Sequence, residues 1–275
     1  MSAPEFYAKS PTDLSYGRNE FMKLFGFSAP DYAKFCDPKY NIKSGCNTVR
    51  LGTLYGYRTI ENEKLRDEGE GTFSYSLNFP DYVAPSPQWL SAFEVEGGGV
   101  AEIGDIRIVN GRVEVKSVSL SGSTHNCWIY CISKSSESAG SVTDTHEDKW
   151  TIAAEKLAAF ANHLGAILWS ELTVRDLPDD LTGKYGLQEI QQRLGLFIET
   201  RDIEYVDRFV VIGGEEELQV SHVETLRDRV AFIKPEVFKD EQEVRIAYWL
   251  TFDGKKISIV DNPKYISLRP IDKLL

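Results

Sequence analysis

The chain has 275 residues, of which 42% are hydrophobic and 27% are charged. These proportions are typical of a folded globular protein and exclude an intrinsically disordered or collagen-like chain. Acidic residues outnumber basic ones, and the net charge is −11 at pH 7. The protein as a whole therefore does not attract nucleic acid or an anionic membrane, although a local basic groove remains compatible with this charge.

The first residues lack the basic start and apolar core of a signal peptide, and no stretch approaches the roughly 18 apolar residues of a membrane helix. The cysteines are Cys36, Cys46, Cys127 and Cys131, and their spacing does not match the usual zinc knuckles. The segment CWIYC is either half of a metal site or a buried strand with two small thiols, and we favour the strand. The sequence therefore predicts a reduced, metal-free protein of the cytoplasm with no membrane partner.

The predicted elements begin with an N-terminal helical and aromatic arm, residues 1–45, in which Phe21, Leu24 and Phe25 have helical spacing. Next, CNTVRLGTL (46–54) and FSYSLNF (73–79) alternate with period two and are predicted strands. A polar, glutamate-rich segment lies between them. Residues 80–99, which contain proline and consecutive glycines, are predicted to form a loop.

Further along, two alternating segments flank Asn110-Gly111, which is a strong signal for a β-hairpin. The apolar segment NCWIYCIS (126–133) is typical of a central strand. A helix is predicted over TIAAEKLAAFANHLG, with Asp148 as its cap and Gly165 at its end. A second helix is predicted at 187–194.

The C-terminal part returns to strands, in the segments IEYV, ELQV, VRIAYWLTF, KKISIV and KYISL, with a hairpin turn at Asp253-Gly254. The whole pattern predicts an α+β fold with a mostly antiparallel, strand-rich, split-sheet core and a few interposed helices. We expect one domain over residues 1–275, with the arm at 1–45 and the core at 46–275. No glycine-rich phosphate loop follows a predicted strand, which argues against an ATPase or a Rossmann oxidoreductase.

The segment VRLGTLYGYR (49–58) is the first candidate site. Arg50 can bind a phosphate or carboxylate with its planar guanidinium, and Gly52-Thr53 lets a ligand approach the backbone. Tyr55 or Tyr57 offers a flat ring for stacking, and Arg58 adds a second guanidinium. The alternative is an ordinary strand with a surface arginine.

Two further candidate segments lie at the ends of predicted strands. Ser133 and Ser135, in CISKSS, could hold a substrate amide, although hydroxyls in such positions more often cap the start of a loop. Glu241 and Glu243 precede the strand VRIAYWLTF, and period-two alternation would direct both carboxylates to one side. A carboxylate pair on a rigid strand can hold a hydroxyl and stabilise a developing cation, whereas the alternative is a solvated strand start in which Arg245 is an ion-pair partner.

The order of these segments resembles the Arg–Ser–Glu pattern of mono-ADP-ribosyltransferases. The resemblance implies that Arg50 contacts the phosphate or ribose of NAD, and that Ser133 and Ser135 support the nicotinamide pocket. It implies that Glu243 holds the ribose hydroxyl and stabilises the oxocarbenium ion, while Glu241 orients or deprotonates the acceptor. Lys134 departs from the family's serine motif. NAD would be a substrate, and no metal is implied.

A second resemblance covers RLGTLYGYRTIENEKLRDEGEG, IYCIS and FKDEQEVRI, which are similar to a poorly characterised group of bacterial and phage domains, some associated with defence or toxin loci. It implies that Arg58, Arg66 and Glu70 lie near the same site. The leading hypothesis is therefore an NAD-dependent ADP-ribosyltransferase that modifies a protein or nucleic acid as a toxin or antiphage effector, with an antitoxin as a possible partner.

Two alternatives remain open. The first is a non-catalytic binding or sensor module in which the arginine and glutamate side chains form a structural ion-pair network. The second is a nuclease in which Asp67, Glu70, Glu241 and Glu243 hold magnesium. For a nucleic-acid acceptor, Arg50, Arg58, Lys64 and Arg66 could provide a local phosphate-binding face.

Overall fold

The computed structural model describes residues 31–60, 62–63, 65–87, 99–134, 146–213 and 229–268. The strands within them are β1 (Tyr32–Cys36), β2 (Thr48–Thr53), β3 (Thr72–Val83), β4 (Gly99–Val109), β5 (Arg112–Ser123), β6 (Trp128–Lys134), β7 (Asp148–Ile152), β8 (Leu194–Asp202), β9 (Glu204–Tyr205), β10 (Phe209–Ile212), β11 (Ile233–Lys234), β12 (Glu243–Phe252), β13 (Lys255–Ile257) and β14 (Lys264–Ser267). The α-helices within the same residues are α1 (Leu157–Ser170), α2 (Asp179–Lys184) and α3 (Leu187–Arg193).

Most strand pairs are antiparallel, and the parallel exceptions in the described residues are β3 with β10 and β9 with β11. The predicted α+β class, strand-rich and mostly antiparallel with a few helices, is confirmed. The described residues fall into two compact units. The first contains the described residues within 31–68, 126–203 and 237–268, and the second contains those within 69–125 and 204–236.

The first unit is built on an eight-stranded sheet. Alternate residues of β12, from Val244 to Phe252, point to a core that also takes up Phe160, Leu164 and Leu168 of α1. The four-residue spacing of these helix side chains places them on one face. We call the side of the sheet that packs on α1 the core face, and the opposite side the polar face.

The sheet divides along one edge of β6. The first half of that edge pairs with β2, at Trp128 and Ile129. The second half pairs with β1, at Ser133 and Lys134. Between these pairings, the Lys34 ammonium donates a 2.8 Å hydrogen bond to the Cys131 carbonyl oxygen. A lysine side chain thus provides a hydrogen-bond partner for a backbone carbonyl at the point where the sheet splits.

The second unit contains a sheet with the order β10-β3-β5-β4. Its core is formed by alternate residues of β3 together with Val115, Val118 and Val230. The predicted β4–β5 hairpin is confirmed, and Asn110 and Gly111 both have positive φ angles, of 52° and 76°. Positive φ at both central residues matches the right-handed twist of the flanking strands, which explains the strength of this sequence signal.

The helix predicted from Asp148 differs in both of its bounds. Asp148 begins β7, and α1 starts only at Leu157. Gly165 lies inside α1, which continues to Ser170. It faces a packed interface, where an added Cβ atom would collide with Ile198 and lie 3.3 Å from Tyr248. The prediction took this glycine for a helix stop, whereas close packing requires it. None of the described helices combines the length and apolar character needed to cross a membrane.

Part of the predicted arm belongs to the main sheet, because β1 lies within residues 1–45. Residues 1–30 and the predicted strand ELQV (217–220) lie outside the described residues. The arm's helical character and the single-domain organisation therefore stay predictions.

Candidate functional site

Three residues from distant parts of the sequence lie on the polar face of three adjacent strands, β2, β6 and β12. Glu243 is the direct register partner of Ser133 across the β12–β6 pair. Gly52 pairs with Ile129 across β2–β6, and Arg50 is two residues away on the same strand. Directly paired residues of antiparallel strands point to the same face, and so do residues two apart. The structure therefore brings Arg50, Ser133 and Glu243 to one face.

These three side chains differ in exposure. Arg50 is exposed, whereas Ser133 and Glu243 are buried. Directly opposed residues have Cβ atoms about 4.5–5.5 Å apart. The side chains of Ser133 and Glu243 are therefore attached at adjacent points of the sheet. An exposed cation on the same face as a buried hydroxyl and a buried carboxylate suits a ligand whose charged part lies at the surface and whose uncharged part reaches inward.

Glu243 forms a buried ion pair with Arg245. The Arg245 Nε donates a 2.7 Å hydrogen bond to Glu243 Oε1, and the Arg245 side chain has no exposed surface. A buried guanidinium without an anion would be very costly, so Glu243 neutralises it. The pair also restricts the Glu243 carboxylate to one orientation on the strand.

Glu241 is buried, but it does not belong to the strand, so period-two alternation does not determine where its side chain points. It is the last residue of the 3₁₀ helix Glu236–Glu241. Gln242 follows with a φ of 45°, and its carbonyl oxygen accepts a 2.9 Å hydrogen bond from the Lys134 backbone N–H. The strand begins only at Glu243. The predicted strand geometry for this glutamate pair was therefore wrong, because the left-handed residue between them breaks the alternation.

Tyr57 lies against Gly52. A Cβ atom at Gly52 would be 2.9 Å from Cε2 of Tyr57. The Tyr57 ring therefore occupies space that a side chain at residue 52 would need. Tyr57 and Arg58 both belong to the 3₁₀ turn Tyr55–Arg58 that follows β2. The Arg58 guanidinium stacks on the Tyr55 ring, with 3.7 Å between Cζ and the ring centroid. Tyr57 thus packs directly on the strand that carries Arg50.

Thr53 does not join the polar face. It pairs with Trp128 and is buried, and its hydroxyl donates a hydrogen bond to the Asp261 carboxylate. The same hydroxyl accepts a 3.1 Å hydrogen bond from the Gly56 N–H. Asn126 supports the turn from another side, by accepting a 3.0 Å hydrogen bond from the Tyr55 N–H. In the structure Thr53 holds the turn that carries Tyr57.

Gly56→Ala is expected to lower the free energy of unfolding by about 1–3 kcal/mol. The added Cβ would lie 2.6 Å from Thr53 Oγ1, which is already held by Asp261. Urea unfolding of the purified variant measures the loss. Gly183→Ala in α2 is the matched control, because no atom lies within 4 Å of its added Cβ, and it should leave stability unchanged or slightly raised. Equal stability for both variants would contradict the packing argument.

Of the remaining predicted residues, some lie outside the described residues and others form ion pairs with neighbouring side chains. Ser135 and Lys64 lie outside the described residues. Arg66 lies 3.5 Å from Glu63 and 3.7 Å from Glu68 in exposed ion pairs, which offset its charge. Glu70 belongs to the second unit, where its buried carboxylate lies 3.5 Å from Arg208. Of the predicted basic face, Arg50, Arg58 and Arg66 are described, and the charge of Arg66 is offset by neighbouring glutamates.

The thiol and phenol groups near β6 are held in their neutral forms. Burial, and then the charge of Asp148, raises the pKa of the Cys36 thiol. Burial raises the pKa of Tyr130 well above its usual value, and burial followed by the charge of Asp202 raises the pKa of Tyr32. Raised pKa values keep these groups protonated at neutral pH, which makes them poor nucleophiles.

A second charged group on the polar face was not predicted. Glu199 of β8 accepts a 3.1 Å hydrogen bond from the Trp249 indole and forms ion pairs with Arg201 and Lys256. Arg201 is the register partner of Arg245. The sequence carried no signal for this group, because its members meet only through the pairing of β8, β12 and β13. It adds a second set of paired charges to the polar face.

The four cysteines are free thiols. Across the described ranges, no three or more His, Cys, Asp or Glu side chains are grouped so that they could hold a metal ion. Comparisons with protein-family models, curated proteins and solved structures found no match for this chain. The arrangement of its own side chains is therefore the basis for assigning a function.

Proposed function

We propose that the protein is an NAD-dependent ADP-ribosyltransferase that modifies a macromolecular acceptor. The observation that carries the proposal is the common placement of Arg50, Ser133 and Glu243 on one face of three adjacent strands. These are the residues that the resemblance assigned to NAD, and about 80 residues or more separate each from the next along the chain. If the similarity to the linear motif arose by chance, there would be no reason for these residues to share one face of the sheet.

The chemistry divides between these side chains. Arg50 binds the diphosphate of NAD from the exposed edge, and Ser133 holds the nicotinamide end. The glycosidic bond breaks with its electron pair leaving on nicotinamide, and the Glu243 carboxylate stabilises the positive charge that develops on the ribose. The acceptor nucleophile then forms a bond to the same ribose carbon and loses its proton, for which Glu241 is the proposed base.

The acceptor in this proposal is a protein or a nucleic acid, and the activity is that of a toxin or antiphage effector in the cytoplasm, with an antitoxin as a possible binding partner. The net charge of −11 favours a protein acceptor. The ion pairs of Arg66 support the same preference, because they offset one of the positive charges proposed to bind a nucleic-acid backbone.

Release of nicotinamide from NAD by the purified protein, with cell lysate as the source of acceptors, tests the proposal. We expect release above the level of lysate alone, and a rise in Tm when NAD is added. Folded protein that neither releases nicotinamide nor shows an NAD-dependent change in Tm would overturn the proposal.

Arg50→Ala tests the phosphate role separately. Because Arg50 is exposed, its replacement should change stability by less than about 0.5 kcal/mol. Loss of a charged hydrogen bond to phosphate should raise the KM for NAD by about 10- to 100-fold. Arg175→Ala, another exposed arginine of the first unit, should leave KM unchanged. Equal KM values for the two variants would remove Arg50 from the site.

One observation favours the alternative of a non-catalytic binding or sensor module. The Glu243–Arg245 pair is almost fully buried, and such pairs occur as structural elements without any reaction. In this alternative the protein has no activity to lose, and Glu243 serves only to neutralise Arg245. The metal-dependent nuclease has no comparable support, because the described residues contain no acidic cluster of the required kind.

A further inference from the structure

Tyr265 is the direct cross-strand neighbour of the proposed phosphate-binding arginine. It pairs with Arg50 across β14–β2, and 65% of its surface is exposed. The residues on either side of it point the other way, since Ile266 is fully buried in the core and Lys264 bonds to buried Asp176. The tyrosine ring therefore lies on the polar face, beside an exposed guanidinium.

The strands place these residues in a fixed order, with Tyr265 on β14, Arg50 on β2, Ser133 on β6 and Glu243 on β12. Three strand pairings, β14–β2, β2–β6 and β6–β12, therefore separate Tyr265 from Glu243. The exposed aromatic residue thus lies at one end of the row, and the buried carboxylate lies at the other.

A dinucleotide has the same order of chemical groups. Its scissile glycosidic bond lies at one end, its diphosphate in the middle and its adenine at the other end. We infer that Tyr265 is the stacking surface for the adenine of NAD, an inference that rests on the proposed function. Every base has a flat π-face that can stack on an aromatic side chain, and Arg50 beside the ring can hold the adjoining phosphate.

Binding of three nucleotides to Tyr265→Ala and Tyr265→Phe, measured by calorimetry, tests the inference. NAD and ADP-ribose contain adenine, whereas nicotinamide mononucleotide has the reactive end without it. Tyr265→Ala should weaken binding of NAD and ADP-ribose by about 5- to 150-fold and leave binding of the mononucleotide unchanged. Tyr265→Phe keeps the ring and should bind all three like the wild type.

Tyr40→Ala is the matched control. Tyr40 is also exposed, but it lies on a 3₁₀ turn with the Lys39 ammonium 4.8 Å from its ring centroid, so its removal should affect no ligand. Wild-type protein that cleaves NAD while Tyr265→Ala binds all three nucleotides normally would overturn this inference and leave the proposed function standing. Equal weakening of the mononucleotide would overturn the assignment to adenine. Wild-type protein that binds neither NAD nor ADP-ribose would overturn both proposals.

Discussion

Glu243→Gln is expected to lower kcat for nicotinamide release by about 100- to 1,000-fold, with little change in the KM for NAD. The substitution retains the shape of the side chain and a carbonyl oxygen that can accept the hydrogen bond from Arg245 Nε. It removes the negative charge that would stabilise the positive charge on the ribose in the transition state, as nicotinamide leaves. Steady-state release of nicotinamide from NAD, with wild-type protein assayed in parallel, measures the effect.

The same substitution has a cost in stability, which the sequence predicted only in the alternative with Arg245 as an ion-pair partner. Arg245 is fully buried, and Glu243 forms an ion pair with it, so a neutral glutamine keeps the hydrogen bond but removes the charge that this carboxylate supplies. We expect the free energy of unfolding to fall by about 1–3 kcal/mol. Activity must therefore be compared at a temperature and urea concentration at which both proteins are fully folded.

Asp176→Asn separates the two effects. Asp176 is fully buried and forms a 2.7 Å ion pair with Lys264, so its replacement also leaves a poorly compensated buried charge. This control should lose stability and retain nicotinamide release. If Asp176→Asn lost as much activity as Glu243→Gln, or if folded Glu243→Gln remained active, the catalytic role of Glu243 would be refuted and the structural alternative would be favoured.

Arg245→Met is expected to lower the free energy of unfolding by about 3–5 kcal/mol. Methionine fills much of the volume of the arginine side chain but leaves the buried Glu243 carboxylate without the guanidinium at 2.7 Å. Urea unfolding monitored by tryptophan fluorescence measures the loss. Trp128 and Trp249 are both buried in the same sheet, so they should report its unfolding.

Two further variants check that burial of the pair is the cause. Lys134→Met removes an exposed ion pair of the same sheet, also at 2.7 Å from its partner Asp202, and it should cost less than about 1 kcal/mol. Replacing both members, as Glu243→Leu with Arg245→Met, should recover much of the loss, because neither charge is then left alone. Similar stabilities for Arg245→Met and Lys134→Met would contradict the assignment.

The local part of the fold could be predicted from the sequence because it depends on neighbouring residues. Asn110-Gly111 and Asp253-Gly254 form hairpin turns with positive φ at both positions, and few residue types tolerate this conformation. Alternation in FSYSLNF predicted β3, since one side of a half-buried strand must be apolar. The strongly apolar segment VRIAYWLTF predicted β12, which is buried along nearly its whole length. These signals were sufficient for the α+β class.

The bounds of α1 show where neighbouring residues were insufficient. A capping aspartate and a terminal glycine are general helix signals, but Asp148 pairs in β7 and Gly165 packs against Ile198 and Tyr248. Long-range contacts outweighed local preference at both ends. The turn after β2 has the same character, because the Asp261 and Asn126 side chains that hold it are more than 60 residues away in sequence.

By itself the sequence determined which side chains the candidate site can use: a guanidinium in the β2 segment, a hydroxyl in β6 and a carboxylate in β12. Only the tertiary structure decided that Arg50, Ser133 and Glu243 share the polar face, that Thr53 points away from it, and that Tyr265 lies beside Arg50. The physical reason is strand register. Shifting a strand by one residue reverses the face of every side chain, and register is set by pairings between segments that are far apart in the chain.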